Sequence, residues 1–218
     1  MTIDTRTIKN FLDDREIEIL ENFIMTTTEP WENWNPSDSP EGKVLSGTYH
    51  VFDYYDQKNQ LVKDILQPKF EKEFGKDLVI QQIHIFDSID PYKIHSDVDS
   101  GGETLSHAPN AAWTFIIPLF DVNSHTIVFK EECEIKEPQY YIERTDPYES
   151  HTITYETWKQ YFSHTPYDWF RWLTIEDIFK WEKGSLFAAS RYKFHTSDNF
   201  LANGVESKRA IIAWTSLP

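Results

Sequence analysis

From residue 78 onward the sequence is a succession of short β-rich runs, and that succession limits the fold more than any other feature. LVIQQIHIF (78–86), AAWTFIIPLF (111–120), HTIVFK (125–130), SLFAAS (185–190) and RAIIAWTS (209–216) are rich in Ile, Val, Phe and Thr and are each short enough for one strand. VLSGTYHVFD (44–53) is an earlier candidate strand. LTIEDIFKW (173–181) could start a helix through a Thr174–Asp177 capping box, but Leu173, Ile175, Phe179 and Trp181 share one parity. The turn-like EKGS runs directly into SLFAAS, so a strand and hairpin is the preferred reading there.

Helical patterning is confined to the N-terminal part. In DDREIEILENFIM, Asp13 or Asp14 can cap, and Ile17, Leu20 and Ile24 fall on one face. QLVKDILQPKFEKEFG predicts a second helix with Leu61, Ile65 and Phe70 aligned, an irregularity at Pro68 and an end at Gly75. Helices followed by several short strands predict a mainly β fold, an antiparallel sandwich or jelly roll with the helices packed on one sheet. At 218 residues the chain is expected to form a single domain, 1–218. Residues 1–77 would support a core over 78–216, interrupted by an aromatic insertion at about 137–172 that is helical in part. WENWNPSDSPEG (31–42) also breaks the strand rhythm.

A formal charge of −15 argues against nucleic acid and anionic membrane surfaces as partners, since such binding depends on Lys and Arg neutralising phosphates. No window approaches 18 apolar residues and no signal peptide is evident, so no membrane association is expected. Cys133 is the sole cysteine, which excludes an intrachain disulfide and suits a reducing cytoplasm; its glutamate neighbours read it as structural.

The chemistry concentrates in YKIHSDVDS (92–100). On an extended backbone His95 and Asp97 point the same way, so their donor atoms can meet one ion. Eight His and seventeen Asp predict about 0.6 chance His-x-Asp pairs, so the pattern needs a third ligand. A two-histidine, one-carboxylate triad leaves three positions open on a non-heme Fe(II) ion. His195 in SRYKFHTS is the best candidate for the second histidine, because it follows a β-rich run and precedes the last strand. Asp99 is a weaker alternative to Asp97. His50, His84, His107, His125, His151 and His164 read as surface or hydrogen-bonded structural residues. Trp158, Trp169, Trp172 and Trp181 read as packing residues more than as substrate platforms.

IHSDVDS, the strand AAWTFIIPL after it, KWEKGSLFAASRYKFHTS with the distal histidine and the closing strand SKRAIIAWTS together resemble the 2-oxoglutarate and Fe(II)-dependent oxygenase superfamily, especially its compact prolyl-hydroxylase-like phage and bacterial members. The resemblance spans about 78–216 and implies a double-stranded β-helix, a cupin-like jelly roll. It further implies that His95, Asp97 and His195 hold Fe(II), and that a basic residue of the last strand binds the distal carboxylate of 2-oxoglutarate. Arg209 is preferred for that role and Lys208 is the alternative; being adjacent on a strand, only one of them can face the site. Thr114 and Tyr92 are candidates for a hydroxyl contact to the same carboxylate. Such an enzyme uses O2, with ascorbate a candidate reductant, to hydroxylate a small-molecule or peptide substrate, and Gly101-Gly102 is a candidate hinge for a lid. The rival readings are a non-catalytic jelly-roll binding module and a cupin-like metalloenzyme that does not use 2-oxoglutarate.

Overall fold

The computed structural model describes residues 4–26, 32–33, 48–53, 60–97, 112–133, 153–170 and 172–216. In chain order the elements are β1 (Arg6–Ile8), α1 (Asp14–Thr26), β2 (Glu32–Asn33), β3 (Thr48–Asp53), α2 (Gln60–Phe74), β4 (Val79–Ser88), β5 (Trp113–Pro118), β6 (His125–Glu132), α3 (Tyr155–Tyr161), a 3-10 turn over Tyr167–Phe170, β7 (Ile175–Lys180), β8 (Leu186–Ser190), β9 (Lys193–Ser197) and β10 (Lys208–Ser216). The strands form two antiparallel sheets, one in the order β1-β8-β5-β10-β4-β3-β2 and one in the order β7-β6-β9. No helix among the described residues is long and apolar enough to cross a membrane.

Helix α1 starts where its sequence says it should. The Glu16 backbone N–H donates to Asp13 Oδ1 at 2.8 Å and the Asp13 N–H donates to Glu16 Oε2 at 2.8 Å, a reciprocal capping box with Asp13 as the cap. Ile17 and Leu20 are buried beneath it, while the Ile24 side chain lies outside the described residues. In α2 the buried face is Val62, Leu66, Phe70 and Phe74, which corrects the expected alignment of Leu61 and Ile65 with Phe70. Leu61 precedes Phe70 by nine residues, and at 100° per residue that places it half a turn away, on the exposed side. Ile65 packs at the edge of the cluster. Pro68 sits inside the helix on its exposed face, and Gly75, with φ of 98°, follows its last residue.

The segment 173–181 does form a strand, but it does not make the expected hairpin with 185–190. Strand β7 pairs with β6 in the small sheet, whereas β8 pairs with β1 and β5 in the large one. The turn between them therefore carries the chain from one sheet to the other. Gly184 has φ of 71° there, and a Cβ would meet the Leu12 carbonyl oxygen at 2.4 Å, so the crossing needs a residue with no side chain.

Strand parity sorts the large sheet into two faces. Phe115, Ile117, Leu186, Ala188, Ile211 and Ala213 pack with α1 and α2. Ile116, Phe187, Ala189 and Ala210 pack instead with Val128 and Phe179 of the small sheet, forming the interior between the sheets. The outer face of the small sheet is covered by the aromatic insertion: Phe162 and Phe170 stack 4.4 Å apart and pack with Ile127, Phe129 and Phe194. Trp158, Trp169 and Trp172 are partly buried in that cluster, and Trp181 is buried between the sheets. Of the expected features, residues 137–152 of the insertion, most of 31–42, Asp99 and Gly101-Gly102 lie outside the described residues.

Candidate metal centre

His95 and His195 come from segments a hundred residues apart and stand directly opposite each other. The His95 N–H donates to the His195 carbonyl at 3.0 Å, and the His195 N–H donates back at 2.8 Å, so residues around His95 extend the small sheet beyond β9. Ile94 and Phe194, the residues before each histidine, turn outward into the aromatic cluster. The two imidazoles thereby face inward, with ring centroids 4.2 Å apart. Asp97 joins them: its Oδ1 lies 3.8 Å from His95 Nε2 and 3.7 Å from His195 Nε2. The three ligand atoms lie within 4.8 Å of one another.

The surroundings orient each donor. His95 Nδ1 lies 2.7 Å from the Lys93 carbonyl and His195 Nδ1 3.2 Å from the Lys193 carbonyl. With the proton on Nδ1 donated to those carbonyls, each Nε2 keeps its lone pair for a metal. Asp97 is held on three sides. Its N–H donates to the Arg191 carbonyl at 3.0 Å, its carbonyl accepts from Arg191 Nε at 3.2 Å, and its Oδ2 accepts from Thr114 Oγ1 at 2.5 Å. Burial first, and then the His195 charge, push the His95 pKa down to about 4. Burial raises the Asp97 carboxyl, but His195, His95, Thr114 and Arg191 together outweigh it and the net shift is downward. At neutral pH the site thus presents an uncharged His95 imidazole and an ionised carboxylate, the forms that ligate. Two imidazole nitrogens and one carboxylate oxygen converging in this way are a donor set that suits Fe(II).

The candidates for the carboxylate-binding residue separate cleanly. Lys208 shares the parity of Ala210 and faces the interior. It is 3% exposed, and its Nζ donates to Ser197 Oγ at 2.6 Å and to Ser124 Oγ at 3.2 Å. The ammonium also lies over the rings of Trp181, at 4.1 Å, and Phe200, at 5.1 Å. Burial, only partly offset by the Asp198 charge, lowers its pKa to about 7. Arg209 shares the parity of Ile211 and faces the helix side, where Nη2 donates to Asp87 Oδ2 at 2.7 Å on the strand directly opposite. Strand alternation thus turns Lys208 toward the interior between the sheets and Arg209 toward the helices. Thr114 faces the interior but spends its hydroxyl proton on Asp97. Tyr92 lies beside the site, its ring 5.4 Å from His95, and its carbonyl accepts from Thr196 Oγ1 at 2.8 Å.

Sequence reading missed the network behind Lys208. Ser124 Oγ donates to Asp198 Oδ1 at 2.7 Å, and His125 Nδ1 lies 2.9 Å from Asp198 Oδ2. It also missed a local signal. YKIHS (92–96) and YKFHT (192–196) are the same pattern, Tyr-Lys-apolar-His-hydroxyl, placed twice, and the two copies are the segments that pair through their histidines.

No family model matches the chain, and no curated protein sequence matches it. Solved structures do. The epimerase SnoN in complex with Fe3+, alpha ketoglutarate and nogalamycin RO aligns with a TM-score of 0.55 at 12% identity, covering 97% of this chain and 78% of that one. An oxidoreductase of the 2OG-Fe(II) oxygenase family from Burkholderia pseudomallei aligns at 0.54 and 10% identity, covering 97% and 84%. A Pseudomonas putida prolyl-4-hydroxylase aligns at 0.50 and 8% identity, covering 98% and 92%. The fold of this chain is the double-stranded β-helix of 2-oxoglutarate and Fe(II)-dependent oxygenases.

Proposed function

We propose that the protein is a 2-oxoglutarate-dependent dioxygenase, with Fe(II) held by His95, Asp97 and His195, that hydroxylates a small molecule or a peptide residue. The observation carrying this reading is the convergence of the three ligand atoms, with His95 and His195 oriented through Nδ1 and Asp97 through Oδ2. Iron bound there would supply the activation of O2 that couples decarboxylation of 2-oxoglutarate to oxidation of a C–H bond.

The chain's own residues do the rest. Lys208 receives the distal carboxylate of 2-oxoglutarate: it is a buried cation that donates to the Ser197 and Ser124 hydroxyls. Ser197, which anchors its ammonium, is two residues beyond His195 on β9, a step of about 6.6 Å at the strand rise. That separation is within the reach of a five-carbon dicarboxylic acid chelating the metal at its other end. Thr114 and Arg191 keep the Asp97 carboxylate ionised and aimed. The aromatic insertion packs behind β9 and keeps that side of the site dry. A reducing cytoplasm, consistent with the buried thiol of Cys133, would keep the iron ferrous. Neighbours of this fold include an epimerase and a carbocyclase, so architecture alone does not select hydroxylation; the reading rests on the site.

The test is anaerobic reconstitution with Fe(II), admission of O2 and measurement of succinate formed from 2-oxoglutarate. One succinate and one CO2 per 2-oxoglutarate consumed is the expected result, with loss of turnover in His95→Ala and Asp97→Ala. Failure to bind both iron and 2-oxoglutarate would leave the binding-module reading in its place.

A further inference from the structure

Ser124 stands between two charged groups: its Oγ accepts from Lys208 Nζ at 3.2 Å and donates to Asp198 Oδ1 at 2.7 Å. All three side chains are buried, Asp198 at 1% exposure and Ser124 at 0%. The carboxylate is held on its far side as well, where Oδ2 lies 2.9 Å from His125 Nδ1 and 3.4 Å from Asn203 Nδ2. Backbone bonds fix the pair. The Asp198 N–H donates to the His125 carbonyl, and the Trp181 N–H donates to the Ser124 carbonyl, each at 3.0 Å.

A hydroxyl has one proton, and Ser124 gives it to Asp198. Toward Lys208 its oxygen can only accept, so the bonds run one way, from ammonium to hydroxyl to carboxylate. Hydrogen bonds in such a chain polarise one another, which carries part of the negative charge to the lysine. Burial lowers the Lys208 pKa to about 7, and the Asp198 charge opposes that fall. Of the titratable groups around the pair, His125 on β6 bonds the far oxygen of Asp198, and His164 after α3 is neutral, because burial lowers its pKa to about 4. A carboxylate touching the ammonium would compete with a ligand's carboxylate for it. Set one hydroxyl away, Asp198 supports the charge without that competition, and of the three ammonium protons two go to Ser197 and Ser124.

We infer that Asp198 is a positioning residue for the co-substrate: acting through Ser124, it orients the Lys208 ammonium and keeps it charged for the distal carboxylate. This rests on the oxygenase reading above. It gives a buried acid outside the metal ligands a role in the pH range over which the co-substrate binds.

The experiment is calorimetric titration of Mn(II)-loaded protein with 2-oxoglutarate and, separately, with 2-oxopentanoate, which has the same chelating end and no distal carboxylate. Titrations are run at about pH 6 and about pH 8, one unit either side of the Lys208 pKa. Asp198→Asn should weaken 2-oxoglutarate about tenfold at the higher pH and only about twofold at the lower, the pattern of a lysine that loses its proton about one pH unit earlier. Ser124→Ala, which cuts the connection and leaves the carboxylate in place, should show the same dependence on pH. Binding of 2-oxopentanoate should stay within about twofold in both variants at both pH values, a result that also shows the site to be folded. Weakening of 2-oxoglutarate by one factor at both pH values, or parallel weakening of 2-oxopentanoate, would mark a structural role and overturn the inference. If the wild-type protein binds 2-oxoglutarate and Lys208→Ala does not, while Asp198→Asn matches wild type at both pH values, the inference alone falls. If the wild-type protein does not bind 2-oxoglutarate, the oxygenase reading falls and takes the inference with it.

Discussion

At Lys208 the cost of burying an ammonium is met by two hydroxyls and two aromatic faces, and Ser124 links it to the Asp198 carboxylate. Lys208→Ala should therefore raise the dissociation constant for 2-oxoglutarate by tenfold or more, the value of a buried charge-assisted hydrogen bond. Arg209→Ala should leave that constant within twofold and cost about 1 kcal/mol of stability through loss of the partly exposed Asp87 pair, as read by chemical denaturation. The lowered pKa of Lys208 has two consequences of opposite sign. Between about 7 and its ordinary 10.5 the unfolded chain holds the proton that the fold releases, so this group makes the stability of the ligand-free protein rise with pH across that window. Carboxylate binding needs the protonated form. Affinity for 2-oxoglutarate should accordingly fall by up to tenfold per pH unit above about 7, and a pH series of titrations reads this directly.

Among the elements, the β7–β8 connection decides where the site can form. EKGS looks locally like a hairpin turn, and parity correctly marks 175–180 as a strand, but the glycine turns the chain from the small sheet into the large one. The reason lies in neighbours that are remote in sequence. The Leu12 N–H donates to the Gly184 carbonyl at 2.9 Å, and the Gly184 N–H donates to the Pro118 carbonyl at 2.9 Å, which ties the turn to the start of α1 and the end of β5. Gly184→Ala must accept both a positive φ and a 2.4 Å approach to backbone oxygen, and should cost about 2 kcal/mol or more, seen as a lower denaturation midpoint with an unchanged slope. The phase error in α2 has a different origin: counting Leu61 into the buried face ignored the half-turn between it and Phe70.

For the whole molecule, the candidate metal site joins the segment after β4 to β9, so an ion bound there would cross-link two sequence-distant parts of one sheet. Saturating Mn(II) at a hundred times its dissociation constant should stabilise the protein by about 2.7 kcal/mol, and His195→Ala should abolish the thermal shift. The strands, the His-x-Asp pair and the capping of α1 are legible from sequence, because parity and capping are set by residues within a few positions of one another. The convergence of His195 with His95 and Asp97 was readable from motif order, and the doubled Tyr-Lys-apolar-His pattern offered a further local clue. Sequence by itself also determines that Lys208 and Arg209 face opposite ways, since adjacent strand residues must. Which of them faces the interior between the sheets is decided only by tertiary structure: two helices cover one face of the large sheet, and the small sheet, carrying His195 and Ser197, covers the other.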